Sequence, residues 1–283
     1  MNPTEPTFEN SIQAHDKLLD LRLNEIWQYR DLLVLFVRRD FVAKYKQTIL
    51  GPLWFFIQPL FQTAVLAIVF GGMAQLSTDG VPPILFYLAG VTTWNYFSNC
   101  LRTTSTTFTA NAALFGKVYF PRAVTPLSII ISNLIQFGIG LFLFLLIYGY
   151  YTIDGYPLKP NAAILLLPLL IVLMGFMGLG LGMLVSAMTT KYRDLQYLVE
   201  FGVQLLMYAT PVILPLSAIP AKYQPIMLAN PMTGILETFK YGFFGTGTFS
   251  WGLLTYSAVF TAVVFLVGLV IFNKTEKNFM DVV

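Results

Sequence analysis

The chain has 283 residues, of which 56% are hydrophobic and 11% charged, and its mean hydropathy is +0.68. Ordinary soluble domains carry charged residues near ~25%, so the composition excludes that class and leaves one integral membrane domain. A net charge of +3 is too small to mark a nucleic-acid-binding protein, and one histidine (His15) with one cysteine (Cys100) supplies neither a zinc constellation nor an intrachain disulfide.

Residues 1–10 read as disordered. Residues 1–25 are polar and acidic with no apolar core, so no signal peptide is expected. From Asp16 to Lys46 the pattern is helical, but its longest apolar run, Leu32 to Val37, is far too short to cross a bilayer. Asp31, Arg38, Arg39 and Asp40 bracket that run, as expected of a helix lying in the membrane interface with its basic side chains near anionic headgroups. Asp40 and Lys44 interrupt the apolar face. Contact with a second protein subunit accommodates them, and so does snorkelling.

After Lys46 no charge appears until Asp79, and Gly51-Pro52 marks a break and a helix restart. Charge-free stretches run over 47–78, 80–101, 123–153, 160–190, 201–221 and 241–273. Each can hold a helix of ~20 residues, which predicts six transmembrane spans and both termini on one side. All but three of the 17 Lys and Arg residues fall on the side of the termini; the exceptions are Lys159, Lys222 and Lys240. The positive-inside rule makes that side cytoplasmic. The fold expected is therefore an all-α integral membrane protein: a cytoplasmic segment with an interfacial helix (1–46), a six-span domain (47–273) and a cytoplasmic tail (274–283).

Within this frame, Asn111 to Phe115 can form a short helix on the longest cytoplasmic loop. In span four, Gly178 and Gly182 form a small-xxx-small pair suited to close helix approach. Glu200 sits where span five enters the membrane, within reach of Lys191 or Arg193. Prolines at 211, 215, 220, 225 and 231 forbid one straight helix, so two short helices are expected within 216–247, dipping into the outer leaflet. The sequence contains no G-x-x-x-x-G-K-[S/T] phosphate loop, and the spans lack the carboxylates that ion-coupled carriers need.

On spans one and five, Gln58 and Gln62 lie one helical turn apart, as do Gln204 and Tyr208. An unpaired amide facing lipid is costly, so these faces are expected to turn inward. With Trp54, Phe55 and Phe61 they form the predicted lining of a channel, a wall of aromatic planes and amides. Leu50-Gly51 is the predicted hinge at the change of solvent.

The run Tyr45-Lys46-Gln47-Thr48-Ile49-Leu50-Gly51-Pro52-Leu53-Trp54, followed by Gln58-Pro59, resembles the start of the polysaccharide-exporting ABC-2 permeases. These are the membrane halves of ABC transporters for O-antigen, capsule or teichoic-acid chains. The likeness continues in Asn111-Ala112-Ala113-Leu114-Phe115-Gly116-Lys117-Val118-Tyr119-Phe120-Pro121-Arg122, in Lys191-Tyr192-Arg193-Asp194, and in Asn230-Pro231 with Glu237 and Lys240. The resemblance implies a homodimer working with two copies of a separate ABC ATPase subunit, which binds the ATP and Mg that this chain does not. It implies an undecaprenyl-linked polysaccharide, O-antigen first and capsule or teichoic acid as alternatives, moved across a bacterial inner membrane. It makes Asn111, Leu114, Phe115 and Lys117 the ATPase-coupling residues and the region around Asn230 to Lys240 an external gate. From the residues alone, a membrane enzyme acting on lipid-linked sugars and a scaffolding membrane protein stay open. The enzyme reading lacks a clustered acid/base set, since Asp79, Asp154 and Glu237 are scattered along the chain.

Overall fold

The structure, a computed structural model, describes residues 27–46, 48–115, 120–121, 123–189, 192 and 194–278. Expectations that fall on residues 1–26, Lys117, Arg122, Lys191 and Arg193, including any partner of Glu200 among them, lie outside these. Every regular element among the described residues is helical.

Helix α1 (Arg30–Tyr45) packs against α5 (Val124–Ile153). Phe36, on its inner face, is buried edge-on against Phe120, with ring centroids 5.6 Å apart. Asp40, which interrupts the apolar face, pairs with Arg39 of the same helix at 2.8 Å, and the Arg39 guanidinium lies over the Phe36 ring. The odd carboxylate is thus matched within the chain.

At Gly51 the backbone takes φ +49°, a left-handed conformation that favours glycine. Pro52 then opens a 3-10 turn over Gly51–Leu53 that leads into α2 (Trp54–Leu66). Helix α2 widens into a π-helical turn, Ala67–Met73. Helix α3 (Pro83–Ser105) follows and is the centre of the molecule, with Leu85, Phe86, Tyr87 and Leu88 fully enclosed. A short α4 (Thr107–Phe115) precedes α5, and a 3-10 turn (Ala162–Leu166) precedes α6 (Leu167–Thr189). Then come α7 (Leu195–Tyr208), α8 (Gln224–Ala229), α9 (Pro231–Phe244) and α10 (Trp251–Asn278).

Helix α6 is held between α3 and α10 by glycines on both of its sides. A Cβ at Gly178 would lie 2.7 Å from Cys100 Cβ and from the Phe97 carbonyl, and one at Gly182 would lie 2.5 Å from Thr104 Cβ. On the far side, a Cβ at Gly180 would meet the Phe265 backbone at 2.7 Å, and one at Gly268 would meet the Gly180 carbonyl at 2.5 Å. Lipid offers no hydrophobic force between helices, so such close approach supplies the dispersion that holds them together. Cys100 is a small buried filler at this seam.

The loops knit into two opposite ends. At one end Ser217 Oγ donates to Asp79 Oδ1 at 2.6 Å, Tyr156 Oη to the Gly80 carbonyl at 2.6 Å, and Asn161 Nδ2 to the Tyr241 carbonyl at 2.8 Å. At the other, Thr189 Oγ1 donates to the Ser105 carbonyl at 3.1 Å and Phe108 stacks on Phe272 at 4.5 Å.

Four described helical stretches are long and apolar enough to cross a membrane: Gly51–Met73, Val124–Ile153, Ala162–Thr189 and Trp251–Thr275. The other two predicted spans, α3 and α7, are not among these stretches. Helix α3 has 23 residues but is polar along one side and wrapped in protein. Helix α7 has 14 residues, ~21 Å at 1.5 Å per residue, shorter than a ~30 Å hydrocarbon core. It unwinds at Ala209, two residues before Pro211. The last charge-free stretch, 241–273, is also displaced. The Lys240 side chain is buried, so its charge marks no membrane edge; α9 runs through it to Phe244 and ends at Gly245 (φ +70°). The two short helices expected within 216–247 are α8 and α9. Asn230 Oδ1 caps α9 by accepting from the Met232 N–H at 3.0 Å.

Candidate functional site

A cavity of about 570 Å3 lies between α2, α3 and α7, with Gln136 of α5 at its edge. Helix α2 contributes Gln58, Phe61 and Gln62, and α7 contributes Gln204 and Tyr208. These five predicted channel residues are brought together. Trp54 and Phe55 are not on this wall: Trp54 is exposed one turn earlier, and Phe55 is buried with its ring 5.8 Å from Phe41 of α1.

Sequence reasoning missed the third wall. Helix α3 presents Trp94, Asn95, Ser98, Asn99 and Arg102 to the cavity. Asn95, Ser98, Asn99 and Arg102 stand three, four and seven apart, one face of a helix, and that polar stripe was readable. The opposite face of α3 is the one that meets the α6 glycines. Amphipathicity has therefore turned its polar side to a half-open space walled by α2, α3 and α7. Asn95 Nδ2 donates to Gln62 Oε1 at 3.1 Å, joining two walls, and Gln62 Nε2 reaches Met207 Sδ at 4.0 Å, touching the third.

The lining combines amides, a serine hydroxyl and aromatic rings with the apolar Pro59, Val65, Leu66 and Met207, and carries one cation and no carboxylate among the residues described around it. It holds no nucleophile with a neighbouring base. Among the described residues no group of three or more His, Cys, Asp or Glu converges. What such a wall does well is bond neutral hydroxyls and pack against ring faces.

The remaining predicted residues stand elsewhere. A Cβ built on Gly51 would have no heavy atom within 4 Å, so its positive φ, not crowding, is what selects glycine there; Leu50 beside it is exposed. Asn111 donates to the Thr107 carbonyl at 3.0 Å and borders a second cavity of about 310 Å3 between α1, α3, α4 and α5. Leu114 and Phe115 fall in the last turn of α4, and Lys117 lies outside the described residues.

Glu237 and Lys240 of α9, named in the sequence as part of the family likeness, are both buried, which the sequence did not indicate. Glu237 is 1% exposed and accepts from the Thr248 N–H at 2.9 Å and the Thr248 hydroxyl at 3.1 Å. Lys240, one turn on and 3% exposed, donates to the Pro211 carbonyl, with its ammonium 3.5 Å from the Phe86 ring centroid. It ties the unwound end of α7 to α9 and α3.

The sequence profile of the ABC-2 type transporters matches residues 31–244. The chain is 30% identical over 224 residues to the O-antigen export system permease protein RfbA of Myxococcus xanthus, covering 78% of this chain and 84% of that one. It is 25% identical to the Klebsiella pneumoniae protein of the same name, over 89% of this chain and 95% of the relative. The polysialic acid transport protein KpsM of Escherichia coli is 24% identical over 84% and 91%. The matched span runs from α1 to the end of α9 and takes in all three walls of the cavity. The chain belongs to the ABC-2 type transporter family.

Proposed function

We propose that this chain is the membrane-spanning subunit of an ATP-driven exporter that moves an undecaprenyl-linked polysaccharide outward across a bacterial inner membrane. The observation that carries this reading is the amide-and-aromatic cavity between α2, α3 and α7. Sugar hydroxyls bond amides, ring C–H faces pack on the exposed rings of Phe61 and Tyr208, and neither contact demands one fixed register along a repeating chain. O-antigen is the favoured cargo, because the Myxococcus and Klebsiella relatives carry that name. Capsular polysaccharide is the second reading, favoured by likeness to KpsM and to the capsule polysaccharide export inner-membrane protein CtrC of Neisseria meningitidis.

In this reading the chain crosses six times. The four apolar stretches are joined by α3, shielded by its neighbours, and by α7, whose short length is completed by the Ala209–Ile213 turn. The basic residues put both termini in the cytoplasm, and α8 and α9 form the external gate. Two copies assemble with two copies of an ATPase subunit, which binds ATP and Mg and docks on α4 around Asn111, Leu114, Phe115 and Lys117. Leu50-Gly51 is the hinge between the interfacial helix and α2.

Replacing Gln58, Gln62 and Tyr208 singly with Leu tests the reading, with surface polysaccharide and nucleotide turnover measured separately. Export lost with the ATPase still bound supports a channel; wild-type export from all three removes it.

A further inference from the structure

Arg102 is the one charged residue on the described wall of the large cavity. It lies in the last turn of α3, seven residues after Asn95 and three after Asn99, so the helical repeat places it at the end of the same polar stripe. Helical side chains lean toward the N-terminus. That lean aims the guanidinium back along α3 toward the cavity instead of out past the helix end. Its Nε is buried with no hydrogen-bond partner among the described residues, and no carboxylate on the described wall is there to pair with it. A cation in a final helical turn is ordinarily accounted for by the negative end of the helix. That accounts for a charge, not for a buried N–H left empty, which is costly on a charged group.

The guanidinium fork matches the geometry of a phosphate, which it binds through two parallel hydrogen bonds. Neutral sugars need only the amides further along the stripe, so the one cation has a different task. We propose that Arg102 is a phosphate-binding residue: it holds the phosphate that links an isoprenoid lipid to its sugar chain as that chain enters the cavity. This rests on the permease reading above. By the positive-inside rule the last turn of α3 is at the cytoplasmic end, so on the permease reading the site faces the leaflet in which a lipid-linked chain is assembled. Phosphate at the lipid end and sugars along Asn99, Asn95 and Gln62 then give the substrate a direction: the headgroup is held while the chain threads.

The test uses the full-length chain in phosphatidylcholine nanodiscs, titrated with an isoprenoid monophosphate, the uncharged isoprenoid alcohol, phosphatidylglycerol and inorganic phosphate. Arg102→Gln should weaken the isoprenoid phosphate by about tenfold or more, the usual worth of a lost charge-assisted hydrogen bond. Arg102→Lys should recover part of that, and the alcohol should bind both forms alike. An equal loss for phosphatidylglycerol would keep the phosphate role but assign its source to ordinary lipid headgroups; a loss for inorganic phosphate alone would assign it to the free anion. Thermal unfolding of each variant separates lost binding from lost fold. If Arg102→Gln unfolds, Arg102→Met, which keeps an aliphatic stem and removes the charge, decides: unaltered isoprenoid phosphate affinity and selectivity there would overturn the proposal. Wild-type affinity in a folded Arg102→Gln variant would overturn it too, reducing Arg102 to a helix-end charge. Failure of the permease reading looks different: phosphate binding would persist in a chain whose loss leaves surface polysaccharide unchanged.

Discussion

The side-chain amides of Asn95 and Gln62 meet at 3.1 Å across the cavity, tying the polar stripe of α3 to the inner face of α2. Each amide still has donors and acceptors to spare. The pair thus holds the wall in shape while offering hydroxyl-binding groups to whatever passes. Removing one member should cost little stability, because interhelical hydrogen bonds in membranes average about 0.6 kcal/mol. Asn95→Leu should leave the melting temperature near wild type and lower export at least several-fold. Paired melting and surface-polysaccharide assays check this. A collapse of folding with export in proportion would make the pair structural only.

The α3–α6 seam predicts a contrast between two glycines. Gly182→Ala puts a methyl 2.5 Å from Thr104 Cβ, and overpacking of that kind typically costs about 1–3 kcal/mol. Gly138→Ala, on α5, meets nothing within 4 Å and gains helix propensity. The first variant should melt lower and the second no lower than wild type in the same detergent.

Lys240 should act as a latch on the unwound end of α7. Lys240→Met removes the donor to the Pro211 carbonyl and the charge over Phe86, contacts typically worth about 1.5–3 kcal/mol together with their desolvated setting. Hydrogen exchange at residues 209–216 should speed up at least tenfold while the α3–α6 seam keeps its protection. Unchanged exchange at 209–216 would show that the turn is held by other contacts.

Gly51 offers a test of backbone freedom without a steric confound. A Cβ there touches nothing, so Gly51→Ala acts through its φ of +49° alone, a penalty of roughly 1–2 kcal/mol for a non-glycine residue. Export should fall at normal membrane levels. Wild-type export would remove the hinge role.

Much of the fold was legible because charge is expensive in hydrocarbon: gaps between charged residues located the apolar helices. The same logic failed where protein, not lipid, is the solvent. Lys240 is buried among Phe86, the Pro211 carbonyl and α9, so reading it as a membrane edge misplaced the start of α10. Helix α3 looked like any other span, although its stripe of Asn95, Ser98, Asn99 and Arg102 distinguishes it. Gln58 with Gln62 and Gln204 with Tyr208 were found on their faces from helical spacing. Their convergence with α3 was not readable, since spacing within one helix says nothing about which other helix it meets. Nor could spacing separate Phe55, which turns to α1, from Phe61, which turns to the cavity.

The central claim is that sugars travel along the cavity between α2, α3 and α7, and a photo-crosslink during export tests it most directly. Tyr208→p-benzoylphenylalanine places the probe on the cavity wall, and Phe142→p-benzoylphenylalanine places it on the exposed outer face of α5. Irradiation of exporting cells should yield polysaccharide adducts at position 208 and none at position 142. Adducts at 142 in equal yield, or none at 208 while export runs normally, would contradict it.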